Sequence, residues 1–566
     1  MTVAGRETGM DECDVVVAGA GAGGMTAAAV AAAEGARVVL LDKASTVGGT
    51  TAVSGGMVWL AGNRKMAEAG PPASLHPART YLGAVLPAAV RTPLLEAFLT
   101  RGDEALGYLE ARTAVRMRPV RTYPDYFPDL PGATAGGRVL EPEPFDARVL
   151  GSAFALLAPP LPEFTLFGGM MIDRADIPHF RRAARSPRSA LRVARLLARY
   201  GAERLRAPRG TTLVLGNALA GRLLKSVLDL GVDLRLSTAL AGLLVEDGRV
   251  AGVRVRTGGR DSVIRARAVV VATGGWSHDA ARRVALLPAT VAGESPTAAV
   301  ATGDGIAAAL AAGGAFHEGA DQNAFWSPVS AFRRADGAAA VFPHTVTDRG
   351  KPGFLMVDPT GRRFVSEARS YHAVGSALIA SGHDHCFLIS DRTALWRYGI
   401  GALKPFAPPW TVRAAVARGN VVQADDLAGL GRAIGVDPDA LEATVARFNG
   451  FAADGIDRDF GRGGDAYQRH MGDVDNRPNP SLGALATPPF HAIRITVSDL
   501  GTAAGLSTDA SGRVLDAAGA PVAGLFACGN DMASVMEGAY PGPGITLGPA
   551  LVFGYLAGRA VAAEAR

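Results

Sequence analysis

The chain has 566 residues, of which 48% are hydrophobic and 20% are charged, a balance typical of a folded globular protein. Its 71 glycines and 35 prolines are just under a fifth of the residues, too few for a fibrous or low-complexity chain. The net charge is only +5, and no aromatic platform or recognition motif accompanies the basic residues, so we expect no nucleic-acid partner.

Three cysteines, Cys13, Cys386 and Cys528, lie far apart in the chain and form no C-x-x-C pair. This spacing predicts neither a disulfide framework nor a zinc or iron–sulfur site. Residues 1–14 carry acidic side chains and lack the apolar core and cleavage site of a secretory signal. We therefore expect a protein of a reducing compartment, the cytoplasm, without a bound metal.

The first predicted elements form a βαβ unit. A short β-rich run, Cys13–Val17, is followed by an alanine-rich helix through Glu34 and by a second strand, Arg37–Leu41. The sequence GAGAGG, residues 19–24, occupies the turn between the first strand and the helix. Glycines at this turn are the fingerprint of dinucleotide-binding proteins.

Each residue of this turn has a separate physical role. Gly19 permits a tight turn, Gly21 lets a pyrophosphate approach the backbone, and Gly24 lets helix and strand pack closely. Asp42, at the end of the second strand, is placed to accept hydrogen bonds from a ribose hydroxyl. With Ala20 in the same turn, these residues predict a dinucleotide-binding site.

The stretch Gly48–Gly56 is also made of small residues, rich in backbone amides and hydroxyls. Its position directly after the ribose acid favours further contacts with a long cofactor, although a plain glycine-rich loop has the same composition. The expected contacts are Gly49, Thr50, Thr51, Ser54, Gly55 and Gly56.

An arginine-rich stretch, Arg181–Arg209, contains ten arginines and a single acid, Glu203. Leucines, a valine and a tyrosine give it an apolar face at helical spacing. Two interpretations remain open: a solvated arginine-rich helix, or a contact with a membrane surface or another anionic partner.

Further strands return to the nucleotide-binding unit later in the chain. We predict a hairpin over Leu243–Val255, an apolar strand Ala268–Ala272 before a second glycine turn, and a strand over Val514–Leu525 before a third. A final helix begins at about Pro549. The predicted fold class is α/β: a Rossmann-like domain built from residues 1–276 and 488–566, with an inserted α+β catalytic domain over residues 277–487.

Five motifs together resemble the fumarate reductase and succinate dehydrogenase flavoprotein superfamily. They are the glycine turn with Asp42-Lys43, the loop 49–56, Ala272-Thr273-Gly274-Gly275, Thr302-Gly303-Asp304-Gly305 and Cys528-Gly529-Asn530. Within this superfamily, residues 141–146 (EPEPFD) and above all residues 540–550 (YPGPGITLGPA) look like the 3-ketosteroid 1-dehydrogenases.

This resemblance implies that the dinucleotide is FAD. Succinate dehydrogenases attach FAD through a histidine in the segment that corresponds to residues 49–56, and no histidine occurs there, so noncovalent FAD is expected. The histidine and arginine patterns that bind dicarboxylates in fumarate reductases are not visible, which favours an apolar ketone over a small diacid. Further FAD contacts implied by the family motifs are Lys43, Ala272, Gly274, Gly529, Asn530 and Leu547.

The resemblance also implies which residues carry the reaction. The family holds the ketone with a tyrosine hydroxyl and a glycine amide, which match Tyr540 and Gly544. Its proton-abstracting tyrosine matches Tyr371, although Ser366 and Ser370 depart from the family's asparagine and proline in that segment. Tyr371 could also be a packed aromatic side chain near a domain interface.

A phenol with a pKa of about 10 needs a neighbouring donor to act as a base near neutrality. The family supplies a second tyrosine for this purpose, and Tyr126 matches it. Tyr123 lies three residues away and could take this place instead.

The leading hypothesis is an FAD-dependent desaturase of the C1–C2 bond of a 3-ketosteroid, by α-proton abstraction and hydride transfer to flavin N5. One alternative keeps the chemistry on another polycyclic or terpenoid ketone. A second is a flavoprotein that passes electrons to a partner without a substrate site of its own. A quinone or another acceptor is expected to reoxidise the flavin, and peripheral membrane contact through Arg181–Arg209 remains one of the open interpretations.

Overall fold

A computed structural model of the chain describes residues 11–291 and 293–564. Residues 1–10, which belong to the segment 1–14 for which no secretory signal is predicted, lie outside the described residues. Residues 565–566 at the end of the predicted first domain and residue 292 of the predicted inserted domain also lie outside them. The helices are Ala22–Ala33, Gly49–Val53, Met66–Ala69, His76–Val85, Thr92–Arg112, Ile177–Arg182, Pro187–Arg204, Leu215–Asp229, Ala280–Leu286, Asp304–Ala311, Tyr371–Ala380, Arg392–Tyr398, Pro409–Ala417, Leu427–Ile434, Pro438–Asp454, Ala466–Met471 and Leu547–Glu564.

The first sheet has eight strands and a parallel core. Its main path runs Arg513–Leu515, Pro521–Ala527, Arg260–Val271, Asp11–Ala18, Val38–Leu41 and Asp233–Arg235. In its parallel part Val17 is opposite both Leu40 and Val270. The strands Thr238–Glu246 and Arg249–Thr257 form an antiparallel hairpin with its turn at Asp247 and Gly248, which contains the hairpin predicted over Leu243–Val255. The second of these strands pairs with Arg260–Val271.

Burial explains why the parallel strands are continuous apolar runs. Val15, Val16 and Val17 are fully buried because helices cover the sheet. The helices Ala22–Ala33 and Leu547–Glu564 pack so closely that a Cβ on Gly554 would lie 2.7 Å from the carbonyl oxygen of Gly23. The α/β fold class is confirmed, with a Rossmann-like FAD-binding fold made from segments far apart in the chain.

The second sheet is antiparallel and lies within the middle of the chain. Its strands run in the order Ala339–Pro343, Ala324–Arg333, Phe490–Thr502, His385–Ser390 and Phe354–Val357, and Val422–Ala424 also pairs with Phe490–Thr502. Alternate residues of Phe354–Val357 belong to separate apolar clusters, so both faces of this sheet are covered.

The strand Phe490–Thr502 bears on the predicted domain boundary. The sequence places the return to the first domain at residue 488, but this strand is the centre of the second sheet, with partners on both sides. The chain therefore rejoins the first sheet only after Thr502, and the division into two domains stays a prediction.

Three small pairings complete the strands. They are Val58–Trp59 and Met117–Pro119 on either side of Val139–Pro142, Phe145–Asp146 with Thr212–Leu213, and Phe316–His317 with Gly505–Leu506. Over the part of the chain that the structure describes, every helix is too short or too polar to cross a lipid bilayer.

Candidate active site

The first glycine turn leaves no room for a side chain at Gly19 or Gly24 but leaves open space at Gly21. Gly19 has φ +110°, and a Cβ there would lie 2.1 Å from the carbonyl oxygen of Ala272. A Cβ on Gly24 would lie 1.8 Å from the carbonyl oxygen of Gly19. A Cβ on Gly21, by contrast, would have no described atom within 4 Å.

The helix Ala22–Ala33 begins at this open side without a side-chain cap. The N–H groups of its first turn and its dipole can therefore interact with an anion. One of these groups, Ala22 N–H, donates a hydrogen bond to the Thr51 hydroxyl at 3.1 Å. Asp42 holds the turn through Ala20 N–H at 2.8 Å and the following backbone through Ala44 N–H at 2.8 Å. A carboxylate oxygen has a second lone pair, so Asp42 can also accept from a ribose hydroxyl.

The other predicted cofactor contacts surround this turn. Thr50 accepts a hydrogen bond from Ala298 N–H at 3.0 Å, and the Ser54 hydroxyl bridges Thr51 and Gly56. No described atom crowds Gly55, whereas a Cβ on Gly56 would lie 2.5 Å from Gly216 N. The loop 49–56 is therefore fixed by contacts with Ala298 and Gly216, whereas the space beside Gly55 stays open.

Lys43 lies in the same region but already has partners. Its ammonium forms an ion pair with Asp304 at 2.5 Å and also contacts the hydroxyl of Thr302. Lys43 thus joins the Thr302–Gly305 turn to the end of the second strand. Its direct contact with FAD stays a prediction.

The second and third glycine turns are joined by Asp531, which the sequence motifs do not single out. The buried Asp531 carboxylate accepts hydrogen bonds from Thr273 N–H and, at 2.8 Å, from Gly275 N–H, and burial raises the pKa of Asp531. The turns that carry Ala272, Gly274, Gly529 and Asn530 consequently meet at one edge of the parallel sheet, where such folds bind ligands.

A small cavity of about 20 Å³ lies at this edge, and Phe325 in its lining contacts the ring of Tyr540. Its lining includes Gly529 and Asn530 on one side and Phe325, Ile545 and Thr546 on another. Leu547, next to this lining, begins the last helix. The open glycine turn at Gly21 and the uncapped helix start suit the pyrophosphate of FAD, so the residues fit this cofactor. Their individual contacts with FAD stay predictions.

Three of the predicted tyrosines meet in one buried cluster. The Tyr371 hydroxyl donates a hydrogen bond to the Tyr540 hydroxyl at 2.7 Å. Tyr126 stacks on Tyr540, with ring centroids 5.6 Å apart, and meets Tyr371 edge-on at 5.7 Å. Each of the three side chains is at most 7% exposed.

The structure also distinguishes the two candidates for the partner of Tyr371. Tyr123 packs against His470 and Tyr467, with Arg174 over its ring. Tyr126 contacts the other two tyrosines directly, and its buried hydroxyl has no hydrogen-bond partner among the described residues. The geometry favours Tyr126.

Local structure explains the two departures from the family pattern. Ser370 caps the helix that begins at Tyr371, because its hydroxyl accepts from Ala373 N–H at 3.2 Å. Ser366 donates to the side-chain oxygen of Gln468 at 2.6 Å. The hydrogen bonds of both serines therefore fix the segment that carries Tyr371. The packed position that was the alternative for Tyr371 is thus a position within the tyrosine cluster.

Gly544, four residues after Tyr540 in the chain, carries an unused backbone donor. Its φ is +91°, and a Cβ would lie 2.5 Å from the backbone of Met57, so only glycine fits. The Gly544 carbonyl accepts from Trp59 N–H and Gly548 N–H, whereas its own N–H donates to no group within the described residues. This amide is free to bind a ligand oxygen.

Burial keeps the cluster uncharged. It raises the pKa of Tyr371 well above the ordinary value of a tyrosine, an effect that the nearby Tyr126 hydroxyl opposes. Burial also raises the pKa of Tyr540 to about 12 and lowers that of His372 to about 3. The protein thus offers neutral hydrogen-bond donors to a carbonyl group and a phenol that becomes a base on losing its proton.

Two neighbours of the cluster, Tyr467 and His372, were missed by the sequence analysis. Tyr467 is buried, and its ring centroid lies 4.8 Å from that of Tyr126. Its hydroxyl has no hydrogen-bond partner within residues 11–291 and 293–564. His372 lies beside Tyr540 and accepts from Trp326 N–H at 3.0 Å. Phe325 meets Tyr540 edge-on at 5.3 Å.

The chain is similar to several known proteins. The FAD binding domain family matches residues 14–547. The chain is 37% identical to a 3-oxosteroid 1-dehydrogenase of Mycobacterium tuberculosis, over 98% of this chain and 99% of that protein. It is 38% identical to a 4-oxocyclohex-2-ene-1-carboxylate 5-dehydrogenase of Sinomonas cyclohexanicum, over 97% and 94%.

A solved structure is similar as well. The 3-ketosteroid Δ1-dehydrogenase of Sterolibacterium denitrificans, in complex with 1,4-androstadiene-3,17-dione, superposes with a TM-score of 0.91 at 36% identity. The match covers 98% of this chain and all of that one.

Proposed function

The chain belongs to the 3-oxosteroid 1-dehydrogenase family of FAD-binding flavoproteins, and we propose that it desaturates the C1–C2 bond of a 3-ketosteroid. It is an FAD-dependent dehydrogenase that acts on CH–CH groups. The observation that carries the finer proposal is the buried Tyr371–Tyr540 hydroxyl pair, with the unused amide of Gly544 four residues after Tyr540 in the chain.

Tyr540 and Gly544 bind the ketone oxygen in this proposal. Because Tyr540 accepts its hydrogen bond from Tyr371, its own hydroxyl proton remains available to a carbonyl. The Gly544 amide adds a second donor without a side chain in the way. Two such donors stabilise the negative charge that develops on oxygen when the α-carbon loses a proton.

Tyr371 removes the α-proton, and Tyr126 stabilises the resulting phenolate. The Tyr126 hydroxyl is buried without another partner among the described residues and lowers the pKa of Tyr371, although burial dominates. When bound, FAD supplies the acceptor for the hydride from the β-carbon. Residues around the cluster exclude water, which protects the charged intermediate.

The first experiment is anaerobic stopped-flow absorbance of the purified holoenzyme with 4-androstene-3,17-dione. We expect bleaching of the oxidised flavin and a product lighter by two hydrogens in mass spectrometry. Persistent flavin colour with every ketone would contradict the proposal and favour the electron-transfer alternative. A non-steroidal cyclic ketone serves as the comparison substrate in parallel reactions.

A second candidate substrate is a monocyclic keto acid. The relative from Sinomonas cyclohexanicum, by its name, acts on 4-oxocyclohex-2-ene-1-carboxylate, and the pairing of Tyr540 with the Gly544 amide does not depend on ring number. Bleaching by 4-oxocyclohex-2-ene-1-carboxylate but not by steroids would assign this chain to the second candidate.

We propose that FAD is held noncovalently. The loop 49–56 offers no histidine for attachment, and its open inner side instead presents hydroxyls and amides. Acid denaturation should therefore release all flavin into the supernatant.

The helix Pro187–Arg204, called here the arginine helix, supports a peripheral membrane contact. Leu196 and Tyr200 bury one edge of it against the protein. Leu191 is 52% exposed on another side, and Leu205, fourteen residues later and just beyond the helix, is 86% exposed on the same side. Such an exposed apolar stripe is typical of interfacial helices.

Charge lies beside this apolar stripe. Arg188, Arg195 and Arg206 are exposed and form no ion pair with any described residue, and their spacing places them on one side of the helix axis. We propose that this surface rests on a membrane that contains anionic lipids. There the enzyme would also meet a membrane quinone, one of the expected electron acceptors.

Replacing Arg188, Arg195 and Arg206 together by glutamate should weaken binding to vesicles that contain phosphatidylglycerol. At about 1 kcal/mol for each lost cation, removal of three charges predicts a drop of about 100-fold or more, measured by vesicle co-sedimentation. The matched control replaces the exposed Arg413, Arg418 and Arg432 by glutamate. Equal effects of both triple variants, or no binding of the parent protein, would contradict the contact.

A further inference from the structure

The loop that ends in Tyr540 is held by a buried carboxylate. The Glu537 side chain is completely buried; it accepts a hydrogen bond from Arg91 Nε at 2.7 Å and contacts His317 Nε2 at 2.8 Å. Burial alone would raise the pKa of Glu537, but His317 and Arg91 outweigh this effect and lower it. A buried charge persists only when it is paired in this way.

The backbone at this point is wedged against the segment that leads into the second sheet. Glu537 has φ +52°, a conformation that a non-glycine residue adopts only under constraint. Its carbonyl accepts from Asp321 N–H at 2.9 Å. A Cβ on the next residue, Gly538, would lie 2.1 Å from the carbonyl oxygen of Gln322.

Arg91 fixes the other side of the same loop. Its Nη2 donates to the carbonyl oxygens of Ala533 at 3.0 Å and Ser534 at 2.9 Å. Glu537 N–H in turn donates to the Ser534 carbonyl at 3.1 Å. One guanidinium therefore ties both ends of a tight turn whose far end leads directly to Tyr540.

We propose that Glu537 is a positioning residue that sets the Tyr540 hydroxyl against Tyr371 and the Gly544 amide. Tyr540 follows Glu537 by three residues, and its ring lies against Phe325 and His372 of the second sheet and its helix. Glu537 anchors the loop to that same side of the molecule. This inference rests on the proposed role of Tyr540 in binding the ketone.

The test begins with Glu537→Gln, which keeps the size of the side chain and removes its charge. A misplacement of about 1 Å at a reacting group can cost about 100-fold in rate, so kcat should fall by about that factor while the FAD content stays at one per chain. KM should change much less than kcat. Glu96→Gln, which breaks the exposed ion pair with Arg79, is the control and should leave both constants unchanged.

Two further variants test the link to Tyr540. Arg91→Lys keeps the charge but loses the contacts of Nη2 and should give a smaller decrease in kcat. In a Tyr540→Phe background, Glu537→Gln should lower kcat by less than about twofold, because residues that act through one group are not additive.

Any other result of the measurements on Glu537→Gln and Tyr540→Phe contradicts the positioning role of Glu537. If Tyr540→Phe lowers kcat and Glu537→Gln lowers it by the same factor in both backgrounds, Glu537 is only structural while the proposed function stands. If Tyr540→Phe alone leaves kcat unchanged, the proposed role of Tyr540 and the positioning role of Glu537 both fail.

Discussion

Replacing Tyr371 by phenylalanine is expected to lower kcat by about 10²–10⁴-fold, the range attributed to a lost general base. The ring would still pack against Tyr126 and Tyr540, and a single buried hydrogen bond contributes only about 1 kcal/mol to stability. The variant should therefore fold and keep its FAD, which the flavin absorbance of the purified protein would show.

The matched control is Tyr398→Phe. Tyr398 is also buried, and its hydroxyl donates to Asp473 at 2.7 Å, but it lies outside the tyrosine cluster. This variant should retain the kcat of the parent. Turnover of Tyr371→Phe within about tenfold of the parent would mean that another group removes the proton.

The same base predicts a pH profile. Burial raises the pKa of Tyr371 well above its ordinary value, so at neutral pH nearly all of it is protonated and inactive as a base. The phenolate fraction increases with pH, and the rate of flavin reduction should rise by up to about tenfold for each pH unit above neutrality. Single-turnover absorbance measures this chemical step apart from product release, and a rate that stays flat from neutral to alkaline pH would contradict the assignment.

Replacing Tyr540 by phenylalanine should lower kcat by about 10²–10³-fold, the loss expected for one donor to a developing oxyanion. The Gly544 amide remains, so the activity should not disappear. The phenylalanine ring preserves the stacking on Tyr126 and the edge contact with Phe325.

Steady-state kinetics with the best ketone of the panel would measure this loss. Tyr555→Phe is the control, because the Tyr555 hydroxyl donates to Glu104 at 2.6 Å and its ring contacts Tyr108 rather than the tyrosine cluster. A Tyr540→Phe enzyme with the kcat/KM of its parent would show that the ketone oxygen binds elsewhere.

Sequence patterns sufficed for the nucleotide-binding half of the fold because its signals are local. Valine runs, a glycine turn and an alanine-rich helix follow one another within residues 11–41, and the hairpin turn at Asp247 and Gly248 has the positive φ values that such turns require. The second sheet was not predicted strand by strand, since the strands that pair with Phe490–Thr502 lie far away in the chain. Two of them are more than a hundred residues away, and Val422–Ala424 is more than sixty residues away.

The residues of the candidate site also fall into two groups, those that a local motif marks and those that no motif marks. Tyr371 and Tyr540 stand in recognisable motifs, whereas Tyr467 and Glu537 carry no pattern of their own. Tyr467 enters the site only because the helix Ala466–Met471 packs next to Tyr126. Glu537 matters through Arg91, which lies 446 positions earlier, a distance that no local motif can reveal.

The close packing of Ala22–Ala33 against Leu547–Glu564 has a consequence for biosynthesis. The first helix leaves the ribosome more than five hundred residues before its partner, so the apolar face that Gly554 and Gly558 will cover stays exposed during most of translation. Contacts of such long sequence separation form slowly, and unfinished chains are prone to aggregate. FAD loading should thus be a late, post-translational event, and expression at low temperature with a chaperone should raise the yield of yellow protein.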